Sequence, residues 1–340
     1  MRASRKLWIA LGFLAAVHLV VVCAGFFAPY HYSTQNRAFP FAPPTRIHFI
    51  DSHGGWHWRP FVYAVVEEGS GAYTEDVSRI YPLRFFVMGE EYRLANLAPT
   101  RRHLFGVEAG RVFLMGTDAF GRDQFSRILY GGQISLFAGL IATALSLFWG
   151  TCLGTVAGYY GKWADEGIMR LAELFIALPW LYLLFAVRAF LPLHIPPANA
   201  FLLLIAVIGL VGWARPARLV RGIVLSAKES NYVRAAASFG ASDFYLMRRH
   251  ILPQALSVVL TQAALLVPLY ILAEVTLSFL GLGVAEPLPS WGNLLASLQQ
   301  YYVLSSYWWM FLPGLTLVPV FLAYFSLAGA AQERVKSAIF

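Results

Sequence analysis

The chain has 340 residues, of which 58% are hydrophobic and 13% charged, with a formal net charge of +8. A soluble domain carries about 25% charged residues, so this composition excludes an ordinary water-soluble fold and points to a membrane-embedded one. The positive charge follows the loops between apolar runs rather than forming a nucleic-acid-binding face, and no nucleic acid is expected as a partner.

A helix needs about 20 apolar residues to cross a bilayer. Six segments meet or approach that length, at about 7–27, 134–157, 168–190, 198–213, 257–280 and 309–331. The first follows Arg2, Arg5 and Lys6 in the manner of a signal peptide. It is longer than an ordinary signal-peptide core and lacks a small-x-small cleavage site, so it reads as an anchor helix. Bulky Val22 before Cys23 argues against a lipoprotein site. Cys23 and Cys152 both lie in apolar runs, which favours free thiols over a disulfide or a metal site.

Residues 30–115 are legible only in outline. Pro40, Pro43 and Pro44 open the segment as extended chain. Aromatic and β-branched runs at 60–66 and 83–88 follow, punctuated by Gly69, Gly71, Gly89 and Gly110. This pattern reads as a β-rich insert with hairpins. His48, His53, His57 and His103 are scattered through it, and Asp51, His53 and His57 are close enough in sequence to consider a metal. Histidines of an aromatic-rich surface account for them as well, and no metal is expected.

The third segment, 168–190, is interrupted by Arg170, Glu173, Pro179 and Arg188. Arg170 and Glu173 are three apart and can pair on one helix face, and Arg188 can snorkel to the interface. Glu274 lies inside the fifth segment, where an ionisable group is expensive and defaults to a function: lining a path or bracing the helices. Trp308 and Trp309 suit an interfacial aromatic belt.

Lysine and arginine in short loops set orientation. With the N-terminus inside, the inner side carries Arg2, Arg5, Lys6, Lys162, Arg215, Arg218, Arg221, Lys228, Arg234, Arg248, Arg249, Arg334 and Lys336. The short outer loops 191–197 and 281–308 carry none. Both termini are therefore expected in the cytoplasm, with the insert outside. The fold class expected is an all-α polytopic membrane protein of six transmembrane helices, with an extracytoplasmic β-rich insert between the first two. Its parts are 1–29 (tail and first helix), 30–115 (insert) and 116–340 (transmembrane domain).

The largest inner loop, 213–256, reads as two short helices broken at Gly240. Ala235, Ala236 and Ala237 offer a small-residue surface, Gly240 and Ala241 the turn, and Ser242 a helix N-cap. Pro253 punctuates the start of the fifth span. On spacing alone an ordinary helix-turn-helix loop is the favoured reading.

The Ala235-Ala236…Gly240…Leu252-Pro253 pattern resembles the EAA loop of binding-protein-dependent ABC importer permeases. The resemblance extends to the dipeptide/oligopeptide/nickel branch, in its C-type subunit. Its signature before the second helix is matched by Gly116, Thr117, Asp118, Gly121, Arg122, Asp123, Ser126 and Arg127. Gly158 to Asp165, Ala214 to Gly222, Glu274 to Gly283, and Pro289-Ser290-Trp291-Gly292 match later motifs. The likeness covers about two-thirds of the chain. Arg234 departs from the acidic residue that names the loop, Gln133 stands where arginine is common, and the tail 332–336 differs.

The resemblance implies a permease subunit in a bacterial or archaeal plasma membrane, transporting peptides or related small solutes. Its implied partners are a sister permease, two ATP-binding subunits and an extracytoplasmic solute-binding protein. The EAA-like loop would dock on the ATPase. The chain itself is expected to be non-catalytic and to bind no cofactor, with ATP and Mg on the partner. It has no Walker A motif: Gly161-Lys162 is followed by Trp163, and Val156 stands at the required glycine. Asp118, Arg122, Asp123 and Arg127 read as a charged network capping the second helix, or as a solute contact. The alternative is a self-contained secondary transporter or channel. A membrane enzyme has neither a Ser-His-Asp arrangement nor firm metal-ligand spacing behind it.

Overall fold

The computed structural model describes residues 2–69, 71–95, 97–190 and 196–339. Helices α1 (Arg2–Val22) and α2 (Ala24–Phe27) come first. Strands β1 (His48–Ile50), β2 (Trp56–Glu68), β3 (Ala72–Pro82), β4 (Arg84–Leu94) and β5 (Ala98–Gly106) follow. Then come α3 (Gln124–Tyr160), α4 (Lys162–Ala177), α5 (Trp180–Phe190), α6 (Pro197–Val211), α7 (Ala214–Lys228), α8 (Asn231–Ser238) and α9 (Asp243–Leu246). Helices α10 (Leu252–Phe279), α11 (Trp291–Ala296), α12 (Tyr301–Ser306) and α13 (Leu312–Ile339) complete the chain.

Among the described residues five helical stretches are long and apolar enough to cross a membrane: Arg5–Val22, Gln124–Tyr160, Phe201–Lys228, Asp243–Phe279 and Trp308–Glu333. The expected third segment, 168–190, is not a single helix. Pro179 crowds the residue before it, and Leu178 leaves the helical region with φ −72° and ψ 132°. The run divides into α4, of 16 residues, and α5, of 11. The side chain of Arg188 and residues 191–195 of the expected outer loop lie outside the described residues. Pro253 stands at the start of α10, and the helix does not break before it. Helical backbone continues from Asp243 to Phe279 through a π turn at Met247–Ile251, and Pro253 sits in the first turn of α10. Proline withholds a donor from the helix ladder and its ring crowds the carbonyl four residues back, so a widened turn beside it relieves both.

The chain forms two compact units. One comprises residues 1–14, 137–274 and 319–340. In it α3 approaches α7 closely along a stripe of glycines. Gly150, Gly154 and Gly158 recur every four residues, which places them along one face of α3. A methyl built on Gly154 would lie 2.4 Å from the Ala217 carbonyl oxygen, on Gly150 2.6 Å from Pro216 Cβ, and on Gly158 2.8 Å from Val224 Cβ. Lipid tails are as apolar as leucine, so helix association in a membrane relies on such close backbone approach and the dispersion it permits. Where α7 ends, Tyr159, Val220, Val224, Ala227, Val233, Leu246, Ile251 and Ala255 form a buried cluster.

The other unit comprises residues 15–136 and 275–318. In it β1, β2 and β3 form an antiparallel sheet in that order, and β4 and β5 a separate hairpin. Phe61, Val62 and Tyr63 of β2 are buried, whereas Trp56 and Trp58 are exposed. Tyr30, Ala42 and Phe113 form a further buried cluster, flanked by Phe39 and Tyr73. His103 ties the β4–β5 hairpin to α2, its Nδ1 lying 2.6 Å from the Ala28 carbonyl and its Nε2 3.0 Å from that of Glu90.

The glycine stripe makes a paired prediction. Gly154→Ala should lower the stability of the detergent-solubilised chain by about 1–3 kcal/mol, because the added methyl meets backbone that cannot rotate away. Gly222→Ala on α7 meets nothing within 4 Å and should be neutral or stabilising by up to about 1 kcal/mol. Thermal unfolding of the two variants beside the parent checks both.

Candidate functional site

The loop with the EAA-like pattern is a short helical hairpin. Ser230 precedes α8, and Phe239 follows it as the C-cap. Gly240 then takes φ +85°, a left-handed turn that a side chain would strain. Ser242 caps α9 by accepting from the Tyr245 N–H at 3.4 Å. The hairpin is pinned from beneath by Val233, Leu246 and Ile251, all buried against α7 and α10. Tyr159 donates its hydroxyl to Asp243 Oδ1 at 2.7 Å, and Lys228 Nζ donates to the Tyr159 carbonyl at 2.6 Å. Arg221 holds Asp165 through two hydrogen bonds of 2.5 Å, which ties α7 to α4.

Ala235, Gly240, Ser242 and Pro253 are exposed, and Ala236 and Ala241 half-buried. Arg234 pairs with Glu229 on the same exposed surface, so its charge is balanced within the loop. Phe239 is 92% exposed, and Phe244 and Tyr245 stand out beside it. A phenyl ring so placed on a rigid turn suits a partner's pocket. Neither Phe239 nor Phe244 is singled out in the sequence, although the place of Phe239 next to Gly240 is a signal: the turn that needs glycine also turns its neighbour outward.

The second group of expected residues forms a network at the start of α3. Gly121 takes φ +66°, and a methyl on it would lie 1.9 Å from the Asn36 carbonyl, so the turn 116–123 packs directly on the 36–42 segment. Gly116 makes a similar approach to Ala42, and Thr117 bridges Ala42 and Phe39 through its hydroxyl. Asp118 Oδ1 accepts the Phe120 and Arg122 N–H groups at 2.9 and 3.0 Å. Its Oδ2 accepts Arg122 Nε at 2.7 Å and Arg127 Nη1 at 2.6 Å. Glu286 accepts Arg122 Nη1 at 2.8 Å and Arg127 Nη2 at 2.7 Å. Glu286 was not foreseen, because a partner more than 150 residues away leaves no local pattern.

Asp123 caps α3: its Oδ2 accepts the Ser126 N–H at 2.8 Å and hydroxyl at 2.6 Å. Burial pushes its carboxyl up to about 7. Asp123 Oδ1, both amide atoms of Gln124 and Arg127 Nε are buried without a partner among the described residues.

The remaining expected residues are dispersed. Glu274 is fully buried in α10. Arg170 and Glu173 lie on one exposed face of α4, 3.8 Å apart, a geometry worth little stability. Gln133, in place of arginine, donates to the Val21 carbonyl at 2.9 Å and so holds the end of α1. In the insert, His57 lies 2.9 Å from Asp51 Oδ2, and hydrogen bonds from His57 and the Gly55 and His53 N–H groups hold the Asp51 carboxyl below the usual range. Among the described residues no three histidine, cysteine or acidic side chains are grouped to hold a metal.

A family profile described as "Binding-protein-dependent transport system inner membrane component" matches residues 150–337, more than half of the chain and all of the EAA-like hairpin. The chain belongs to this family. As a member it is a membrane component of a transport system and not an enzyme. It is 35% identical over 241 residues to the dipeptide transport system permease protein DppC of Bacillus subtilis (strain 168), covering 71% of this chain and 70% of that one. It is also 35% identical over 245 residues to the glutathione transport system permease protein GsiD of Pectobacterium atrosepticum, covering 72% and 76%. A crystal structure of an amino acid ABC transporter is similar at 18% identity and a TM-score of 0.45, covering 61% of this chain and 94% of that one.

Two measurements test the permease's network. Asp118→Ala should cost about 3–5 kcal/mol in unfolding experiments, since two buried guanidiniums lose the carboxylate they share. Asp123 gives a pH signature. Its pKa rises on folding from an ordinary value of about 3.9, so the folded chain binds the proton more tightly. The stability this adds is present at acid pH and is lost as pH rises towards about 7. The melting temperature of the parent should therefore fall relative to Asp123→Asn between about pH 4 and pH 7, and run parallel to it above.

Proposed function

We propose that this permease forms one of the two membrane-spanning halves of an ATP-driven importer for peptides or related small solutes. The observation that carries the proposal is the EAA-like hairpin within the matched family region: rigidly anchored below, with small residues and an outward phenyl ring above. The names of the relatives, which include dipeptide, oligopeptide and glutathione permeases, support the solute class. The partners are a sister permease, two ATP-binding subunits and an extracytoplasmic binding protein that delivers the solute. ATP and Mg belong to the ATPase, and this chain binds no cofactor.

The coupling residues are Arg234, Ala235, Ala236, Gly240, Ala241, Ser242 and Pro253, joined by Phe239. Closure of the ATPase pushes on this surface. Helical backbone continues from Asp243 to Phe279, so a push at α9 passes into the span that carries Glu274. The nucleotide state then favours one permease conformation by its differential fit to the hairpin. Glu274 braces that helix from within the bundle.

Helices α4 and α5 together make a sixth, broken crossing. This puts both termini on the cytoplasmic side with the hairpin, in keeping with the thirteen inner lysines and arginines and the uncharged short outer loops. Residues 30–115 then face outward as an insert, and 116–340 form the transmembrane domain. A broken helix at membrane depth is tolerated where protein or water covers the freed backbone. The assembly sits in the plasma membrane of its cell.

Co-purification in mild detergent tests the reading. A P-loop ATPase and a second permease should accompany the tagged chain, as identified by mass spectrometry. Phe239→Asp, Ala236→Arg and Gly240→Arg should each release the ATPase; Phe239 makes so little contact within the chain that its replacement leaves the fold intact. A chain that transports while purifying alone would refute the assignment.

A further inference from the structure

The arginine network has one replaceable member. Asp118 is tied down by two backbone N–H groups as well as by both guanidiniums, and its side chain is 8% exposed. Glu286 lies in the loop between α10 and α11, and its side chain is 48% exposed. Every hydrogen bond of its carboxylate among the described residues comes from Arg122 and Arg127, whose side chains are 10% and 2% exposed. Three guanidinium nitrogens thus converge on one carboxylate held by a surface loop. Arginine's planar fork matches a carboxylate, and the low exposure of the pair strengthens the match.

Beside this contact is a cavity of about 340 Å³. Its wall includes Gln124, Ser278, Asn293 and Met310 together with the four charged residues. Gln124 is fully buried, yet neither atom of its amide has a partner among the described residues. A buried amide normally finds one, and an unmade hydrogen bond of this kind is costly. The cavity has the volume of a small-ligand site, a few hundred Å³. Asp118 balances one guanidinium. With Glu286 withdrawn, the second positive charge and the Gln124 amide would be left without a counterpart at the edge of an open space.

We propose that Arg122, Arg127 and Gln124 form a binding site for a small carboxylate, which Glu286 fills as an internal stand-in. When the loop bearing Glu286 lifts, the site accepts the carboxylate of the incoming solute. For the source of that carboxylate the proposal rests on the peptide reading above. The tethered side chain competes at high effective concentration, so the parent chain binds a free carboxylate weakly until the loop moves. The same competition favours release, because Glu286 returns as the solute leaves.

The experiment uses the full chain in lipid nanodiscs, as the parent and as Glu286→Ala. The first probe is acetate, with chloride at equal ionic strength as its control. Acetate should raise the melting temperature of Glu286→Ala in a saturable way, leaving the parent unchanged and chloride without effect. The second probe is a dipeptide with a free C-terminus beside the same dipeptide amidated. The free acid should bind Glu286→Ala at least tenfold more tightly than it binds the parent, and the amide should gain nothing. If Glu286→Ala does not fold, Glu286→Gln preserves the side chain's size and should show the same acetate effect. The proposal is overturned if acetate stabilises parent and variant alike, if chloride matches acetate, or if the amide binds as tightly as the acid. The acetate arm reads the site without any peptide. Its failure is therefore separate from failure of the importer reading, which the co-purification decides.

Discussion

One carboxylate organises the unit that begins at Ala15. Asp118 accepts four hydrogen bonds, two from its own turn and two from buried arginines. Taking two guanidiniums out of water is costly unless each keeps its charge partner and its hydrogen bonds. That requirement constrains the surrounding chain. The turn 116–123 must pack without side chains at Gly116 and Gly121, the 36–42 segment must supply carbonyls to Thr117, and the distant loop must bring Glu286. Trp291 and Trp309 close the same region by donating their indole N–H groups to the Ile128 and Thr117 carbonyls at 3.0 Å. The signature before the second membrane helix is thus a set of mutually dependent contacts, in which each residue type answers a need created by another.

A different device governs the unit that contains residues 137–274. There close helix approach depends on small residues. The stripe at Gly150, Gly154 and Gly158 brings α7 against α3, and α7 carries Val220 and Val224 into the cluster beneath the hairpin. The hairpin is rigid because its underside belongs to the same packed layer as the transmembrane helices. Rigidity of this kind lets a displacement at an exposed surface arrive in a helix instead of being absorbed by a loop.

The parts legible in the sequence were those with local causes. Apolar length marked the five long helical stretches, the Gly240-Ser242 chemistry marked the helix break and cap, and ordered motifs pointed to the family. The spacing of Arg170, Glu173 and Pro179 signalled an irregular third segment, but hydropathy smoothed it into a single span. Backbone restriction by Pro179 decided the outcome. What stayed hidden was non-local. Glu286, the Arg221–Asp165 pair and the Tyr159–Asp243 bond join residues far apart in the chain. The glycine stripe was present in plain view at a spacing of four, and only the facing helix reveals what it accommodates.

The outward phenyl ring of Phe239 bears on how such a subunit is made. With Phe244 and Tyr245 beside it, the free chain presents an exposed aromatic patch. Exposed apolar patches invite self-association and the attention of chaperones and proteases. The surface proposed to dock the ATPase would therefore also mark an orphan subunit for removal. On the proposed reading, a cell that makes this chain in excess of an ATPase partner should accumulate little of the surplus, and supply of that partner would set how much of the membrane subunit survives.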